Sequence, residues 1–210
     1  FQIEKDLLNE YFPAIFDDTI YRIAQSQGRY SAEYLLPIEL SRFMLGMIDF
    51  KQNSNIFNPF AGIASFEIFY KEKHTYYGQE INQRTWILGI LRLMAYGKLD
   101  KSNFERADSI EQWPIDDHFD FIISNPPFGM QIDFHDKNSN TNLKSCELFL
   151  IEKGIQSLSS QGKLIATFTQ SILFKGGREL ELRKQLVDKG LIETIISFPG
   201  GLFNLTEYRY

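Results

Sequence analysis

The chain has 210 residues, 43% of them apolar and 23% charged, with a formal net charge of −5. That is enough apolar material for one domain with a real core and too little for a membrane protein. The acidity argues against a protein that holds DNA unaided, because phosphate contacts need clustered Lys and Arg.

Residues 1–50 read as helices joined by loops, with no secretory signal pattern, and a start at Phe1 rather than Met predicts a trimmed or partial polypeptide. "SNIFNPF", 54 to 60, predicts a short strand that turns at "AGIAS", and "SFEIFYKEK", 65 to 73, predicts a helix. "HTYYGQE", 74 to 80, is the next strand and "NQRTWILGILRLMAYG", 82 to 97, the next helix; Arg92 interrupts its apolar run, which is too short to cross a bilayer. "NFERADS", 103 to 109, is a weaker strand and "FDFIISN", 119 to 125, a strong one. Residues 128–146 are polar and aperiodic, which predicts an irregular segment. In "SCELFLIEKGIQSLSS", Leu148, Ile151, Ile155 and Leu158 recur at helical spacing. "GKLIATF", 162 to 168, is a strand, "GGRELELRKQLVDKG" a helix stopped by Gly190, and "LIETIISF", 191 to 198, a last strand. The single cysteine, Cys146, cannot form an internal disulfide and fits the reducing cytoplasm. Alternation of this kind predicts an α/β fold, a mostly parallel sheet with helices on both faces. Ligands on such sheets bind beyond the carboxyl ends of the strands.

The strand at 119–125 ends in Asn125-Pro126-Pro127-Phe128. Neither proline can donate to a ladder, so the backbone leaves the sheet there. A planar aromatic amine is a poor nucleophile because its lone pair is delocalised into the ring. Two acceptors aimed at its N–H groups favour the localised form. The Asn125 side-chain oxygen can be one and the Pro126 carbonyl the other, held by the fixed turn. Phe128 can stack on a ring delivered by base flipping. An ordinary strand-end turn is the plainer alternative for so short a motif.

Asn125-Pro126-Pro127-Phe128 resembles the catalytic motif of amino-methyltransferases, in the form typical of N6-adenine DNA methyltransferases. "NPFAGIASF" resembles the family's cofactor loop, Asp-Pro-Phe-x-Gly-x-Gly: Gly62 matches, Asn58 replaces Asp and Ala64 replaces the second Gly. Tyr30-Ser31-Ala32 resembles the preceding Tyr-Thr-Pro segment, and "CELF…FPGGLFN" looks like the modification subunits of type I restriction systems. The resemblance covers roughly residues 28 to 206. It implies a Rossmann-like S-adenosylmethionine-dependent methyltransferase fold lacking its last strands. A helical segment, 1–50, would carry a cofactor-contacting motif, and 51–210 would be a C-terminally incomplete catalytic domain. Asn125, Pro126, Pro127 and Phe128 would be catalytic. Tyr30, Ser31, Asn58, Phe60, Ala61, Gly62, Glu80, Ile81, Asp108 and Asn125 would contact S-adenosylmethionine: Glu80 at the ribose hydroxyls, Ile81 on the adenine ring and Asp108 at its amino group. Asp108 can equally cap a helical turn with Ser109.

The implied partners are DNA, a specificity subunit and a restriction subunit, with weak DNA binding by the chain alone and a segment 128–146, bearing Lys137 and Lys144, that orders on DNA. The alternatives are methyl transfer to a glutamine amide or an RNA base amine, or a catalytically silent cofactor-binding or assembly module. His74, His118 and His135 are scattered, so no metal site is expected. Asp116 and Asp117 read as a solvated loop. Lys175, Arg178, Arg183 and Lys184 read either as a wet helix face or as a contact for DNA or a partner.

Overall fold

Five apolar runs form one parallel sheet in a computed structural model that describes residues 5–27, 35–50, 53–70, 74–114, 118–136 and 141–199. They are β1 (Asn55–Asn58), β2 (Thr75–Gln79), β3 (Ser102–Glu105), β4 (Phe119–Ser124) and β7 (Leu158–Ala166), in the order β3-β2-β1-β4-β7. Successive strands first step from β1 outward through β2 to β3, then return to the other flank with β4. The direction reverses between β1 and β4, the kind of crevice where open α/β sheets bind ligands.

Side chains alternate across the sheet. Ile56, Phe121 and Ile123 face one cluster, with Leu40 and Met44 of helix α2 (Ile38–Gly46). Phe57 and Ile122 face the other, with Leu148 to Ile151 of α4 (Cys146–Gln156) and Leu182 of α5 (Arg178–Asp188). Helix α3 (Gln83–Ala95) starts at Asn82, whose side chain accepts from the Arg84 and Thr85 amides. It packs against Ala61, Ala64 and Phe104 through Leu93. A Cβ on Gly89 would lie 2.5 Å from the Phe104 ring and 3.3 Å from the Ile63 backbone, so only glycine lets α3 come this close to the loop after β1.

Within residues 1–50, the described stretches 5–27 and 35–50 carry helices. Helix α1 (Lys5–Gln27) is tied to α3 by Asp17, which accepts from Arg92 Nε at 2.6 Å, Arg92 Nη2 at 2.8 Å and the Tyr96 hydroxyl at 2.6 Å. Arg92 and Asp17 are both buried. The arginine that broke the apolar run of α3 is thus an internal tether. Among the described residues no helix is long and apolar enough to cross a membrane.

Three expectations need correction. The helix expected over 65–73 is a 3-10 turn at Glu67–Phe69, with 71–73 outside the described residues. Positive φ at Gly62 and Ala64 bends the chain tightly there, leaving no room for helical turns. The irregular segment at 128–146 contains an antiparallel pair, β5 (Gln131–Asp136) and β6 (Thr141–Ser145). Ile132, Phe134 and Leu143 turn toward the α4 cluster, and short alternation of this kind is easily lost among polar neighbours. Residues 191–199 form no strand and are mostly exposed, with Phe198 packed edge-on to Phe43. An apolar run becomes a strand only when a ladder partner receives it.

Candidate active site at the strand ends

The loop leaving β1 carries the residues expected at the cofactor. Asn58 ends the strand fully buried and turns inward, where its Nδ2 donates to Glu67 Oε1 at 3.2 Å. The Ala61 amide donates to the Gln79 carbonyl at 2.9 Å, and Phe60 is half-buried on the α4 side. Gly62 sits at φ +58° and its amide donates to Glu80 Oε2 at 3.0 Å. Ala64 takes φ +59°, the backbone glycine would adopt, so the replacement leaves the loop's course intact.

Glu80 follows β2 and is buried, and its other oxygen accepts from the Asn82 amide at 2.6 Å. Burial raises its carboxyl above the ordinary range, against the opposing pull of the Asn82 and Gly62 amides. Each carboxylate oxygen keeps accepting capacity beyond the one bond it makes. Ile81, next to this carboxylate, is 60% exposed. An apolar side chain beside an acceptor suits a flat ring attached to a sugar. Asp108 reaches the same edge, because the Ala107 amide donates to the Glu80 carbonyl at 3.2 Å. Its Oδ1 caps a turn by accepting from the Ile110 amide at 2.9 Å, the capping role weighed from sequence.

A second network lies behind these atoms. The Ser109 hydroxyl sits between the Pro59 carbonyl and Gln79 Oε1, 2.7 Å from the latter, and shares its one proton between them. Gln79 Nε2 donates to the Tyr77 hydroxyl at 2.7 Å and the Gln112 carbonyl at 3.1 Å. Gln79 and Ser109 thus lock the loops after β1 and β3 together. Glu67, deeper still, is pushed by burial to a pKa of about 8, despite hydrogen bonds from backbone amides and Asn58, so it is mostly protonated at neutral pH.

The carboxyl end of β4 carries Asn125-Pro126-Pro127-Phe128 as expected. Pro126 is buried, Pro127 exposed, and Asn125 and Phe128 half-buried. The Asn125 Oδ1 accepts from the Thr167 hydroxyl at 2.5 Å. The turn's far end is fixed where the Gly129 amide donates to Glu147 Oε1 at 2.9 Å and the Cys146 amide to the Met130 carbonyl at 3.0 Å. Gly62, Glu80, Ile81, Asp108 and Asn125 thus follow the carboxyl ends of β1, β2, β3 and β4, whereas the Asn58 side chain, expected at the cofactor, is buried on Glu67 instead. Tyr30 and Ser31 lie outside the described residues, as do Lys137, Asp116 and Asp117. Lys144 pairs with Asp133, Arg178 with Glu152 and Glu181, and Arg183 donates to the carbonyls of Ile172 and Lys175. A hollow of about 400 Å³ lined by Asn55, Thr75, Asn103 and His118 opens at the starts of the strands, away from this edge.

The sequence profile described as N-6 DNA Methylase matches residues 7–209. The chain belongs to this family. A type I restriction enzyme MpnII methylase subunit of Mycoplasma pneumoniae is 23% identical, aligned over 98% of this chain and 44% of that protein. A type I restriction enzyme EcoEI methylase subunit of Escherichia coli is 28% identical over 89% of this chain and 42% of its own length. The chain spans under half the length of these curated relatives. Among solved structures, the type I restriction-modification methyltransferase subunit of Streptococcus thermophilus superposes with a TM-score of 0.71 at 18% identity, covering 92% of this chain and 46% of that one. The fold is thus the Rossmann-like α/β fold of methyltransferases.

Within this N-6 DNA methylase chain, sequence reasoning missed Gln79, Ser109, Glu147 and Thr167. Gln79 was legible only as the neighbour of Glu80. Thr167 was legible only from strand register, since a threonine at a strand end is ordinary by propensity.

Proposed function

We propose that this chain is the adenine-specific DNA methyltransferase subunit of a type I restriction-modification system, acting in the cytoplasm and using S-adenosylmethionine. One observation carries the reading: Asn125-Pro126-Pro127-Phe128 leaves β4, the neighbour of β1, whose following loop is bonded at Gly62 to Glu80, in a chain of the N-6 DNA methylase family. The residues present fit the cofactor. Glu80 has acceptor capacity for ribose hydroxyls, Ile81 offers an exposed apolar face, and Asp108 stands on the same edge. Gly62 lets the backbone approach closely, and Ala64 preserves the loop, which favours a working site over a silent one. The helical segment 1–50 would precede the catalytic domain 51–210 and carry the Tyr30-Ser31 contact.

When bound, S-adenosylmethionine supplies an electrophilic methyl group on a sulfonium. Asn125 Oδ1 and the Pro126 carbonyl accept from the two N–H groups of the adenine amine and localise its lone pair. Phe128 stacks on the flipped ring. With the cofactor in place, Asn125, Pro126 and Phe128 would hold the amine nitrogen for attack on that methyl carbon, and the sulfur would keep the electron pair of the broken carbon–sulfur bond and leave as a neutral thioether. The nitrogen then loses one proton to water, so no base of shifted pKa is needed.

A specificity subunit would supply base reading and most of the DNA grip, with a restriction subunit joining the full system. This suits the net charge of −5 and the cations already paired at Lys144 and Arg178. The test is incubation of the assembled enzyme with unmethylated genomic DNA and S-adenosylmethionine, followed by mapping of N6-methyladenine. Methylation of adenine at one recurring sequence motif is expected. Absence of N6-methyladenine, with methyl groups found on protein or RNA instead, would overturn the reading.

A further inference from the structure

Asn125 poses an orientation problem. The oxygen and nitrogen of a carboxamide are nearly the same size, and rotation about its last torsion exchanges them with little steric penalty. Only one orientation helps the chemistry. With Oδ1 forward the side chain accepts from an amine; with Nδ2 forward it points donors at donors.

The sheet provides the means of choosing. β4 and β7 run parallel with Ser124 beside Ala166, so the next residues, Asn125 and Thr167, leave the sheet side by side. The Thr167 amide donates to the Ser124 carbonyl at 3.3 Å, which extends the ladder by one bond and fixes the threonine backbone. Thr167 is only 9% exposed, and its hydroxyl donates to Asn125 Oδ1 at 2.5 Å. Among the described residues that is the only acceptor the hydroxyl proton has. Were the amide reversed, Nδ2 would donate to the hydroxyl oxygen. The hydroxyl proton would then lack an acceptor in a nearly closed place, which carries a desolvation penalty.

We propose that Thr167 is a positioning residue that selects the orientation of the Asn125 amide, leaving the second lone pair of Oδ1 for the amine of the methyl acceptor. The inference rests on the function proposed above for Asn125. Thr167 touches neither reactant and acts only through its neighbour.

The test uses Thr167→Val, which keeps shape and removes the hydroxyl, and Thr167→Ser, which keeps the hydroxyl and removes a methyl. In the 210-residue chain, the Asn125 side-chain amide is followed by ¹H–¹⁵N correlation and assigned by its loss in Asn125→Ala. Thr167→Ser should leave the signal pair in place, whereas Thr167→Val should move and broaden it. In the enzyme assembled with its specificity subunit, single-turnover methyl transfer should fall about 10- to 100-fold in Thr167→Val, as for a misplaced catalytic group. It should recover in Thr167→Ser, with cofactor affinity within twofold throughout. Unmoved Asn125 signals in Thr167→Val, or a transfer rate within twofold of wild type, would overturn the inference while leaving the function standing if Asn125→Ala is inactive. If the wild-type enzyme methylates no DNA, the function falls, and the amide signals alone decide the role of Thr167.

Discussion

At the ends of β1 and β2 the atoms proposed for the cofactor are backbone amides and a buried carboxylate, held by many bonds. Gly62 and Asn82 both donate to Glu80, and Ser109 and Gln79 lock the flanking loops from behind. At the ends of β4 and β7 the atom proposed for the reaction is one amide oxygen on a side chain. Its backbone is stiffened by two prolines, and one hydroxyl holds its tip. The first construction spreads its support, so single losses should weaken binding by degrees. The second concentrates it, so single losses should reach the reaction directly. A cofactor tolerates small shifts in a cradle, while a reacting amine does not.

The sharpest way to break this contrast is Asn125→Ala. Methyl transfer by the assembled enzyme should drop at least roughly 1,000-fold, the upper range for losing one preorganised polar group. S-Adenosylmethionine affinity, measured by calorimetry, should stay within a few-fold. Near wild-type turnover would remove Asn125 from the reaction.

On the other half, Glu80→Ala should weaken S-adenosylmethionine binding by roughly 1.5–3 kcal/mol, the range for hydrogen bonds to a charged group. Turnover at saturating cofactor should change far less. Unchanged affinity by calorimetry would mean that the ribose is held elsewhere.

The pH dependence of stability sharpens the difference between the exposed front of the cofactor half and its sealed back. Glu67 has a folded pKa of about 8 against an ordinary 4.5. Between those values the folded chain holds a proton that the unfolded chain has released. Stability from this group is therefore full below pH 4.5 and is lost as pH rises toward 8, at up to about 1.4 kcal/mol per pH unit. Glu67→Gln should flatten that slope in urea titrations between pH 5 and 8, and an identical slope in the variant would show that Glu67 ionises normally.

Removing one strut of the buried network should do little. Ser109→Ala is expected to lower stability by about 1 kcal/mol, the net value of one hydrogen bond, and to shift cofactor affinity less than threefold. A loss as large as that of Glu80→Ala would show that the support is not shared. The smallest effect is a gain: Ala64→Gly should raise the urea midpoint by the equivalent of about 0.5–1 kcal/mol, by relieving the positive φ. A drop in midpoint would mean that the methyl group's contacts outweigh the strain.

Much of this architecture could be read from the residues. The strands that became β1, β2, β4 and β7 announced themselves by apolar runs ending in turn chemistry. Asn125, Gly62 and Glu80 were named for the site from a strand-end turn and from motif resemblance. What stayed hidden depended on distant partners. Ile132 and Phe134 form a strand because Leu143 and α4 receive them, and Leu191 to Phe198 form none because no strand among the described residues makes a ladder with them. Asp108 carried two readings, and the turn it caps is visible only once its main chain is traced. Thr167 matters through register, a quantity no local pattern records.

The bond between Asp17 and Arg92 bears on how this protein can be dissected. The sequence invites a cut near residue 50, between a helical preface and a catalytic body. Yet the guanidinium of Arg92 lies sealed between α3 and α1, and its counter-charge arrives from α1, 75 positions earlier in the chain. A fragment that began at residue 51 would lose both the anion and the helix that covers the cation, and breaking such a buried pair costs up to about 3–5 kcal/mol. That is a large share of what holds a domain together. The preface is therefore less an attachment than a missing half of the body's own electrostatics, and the two should unfold as one piece.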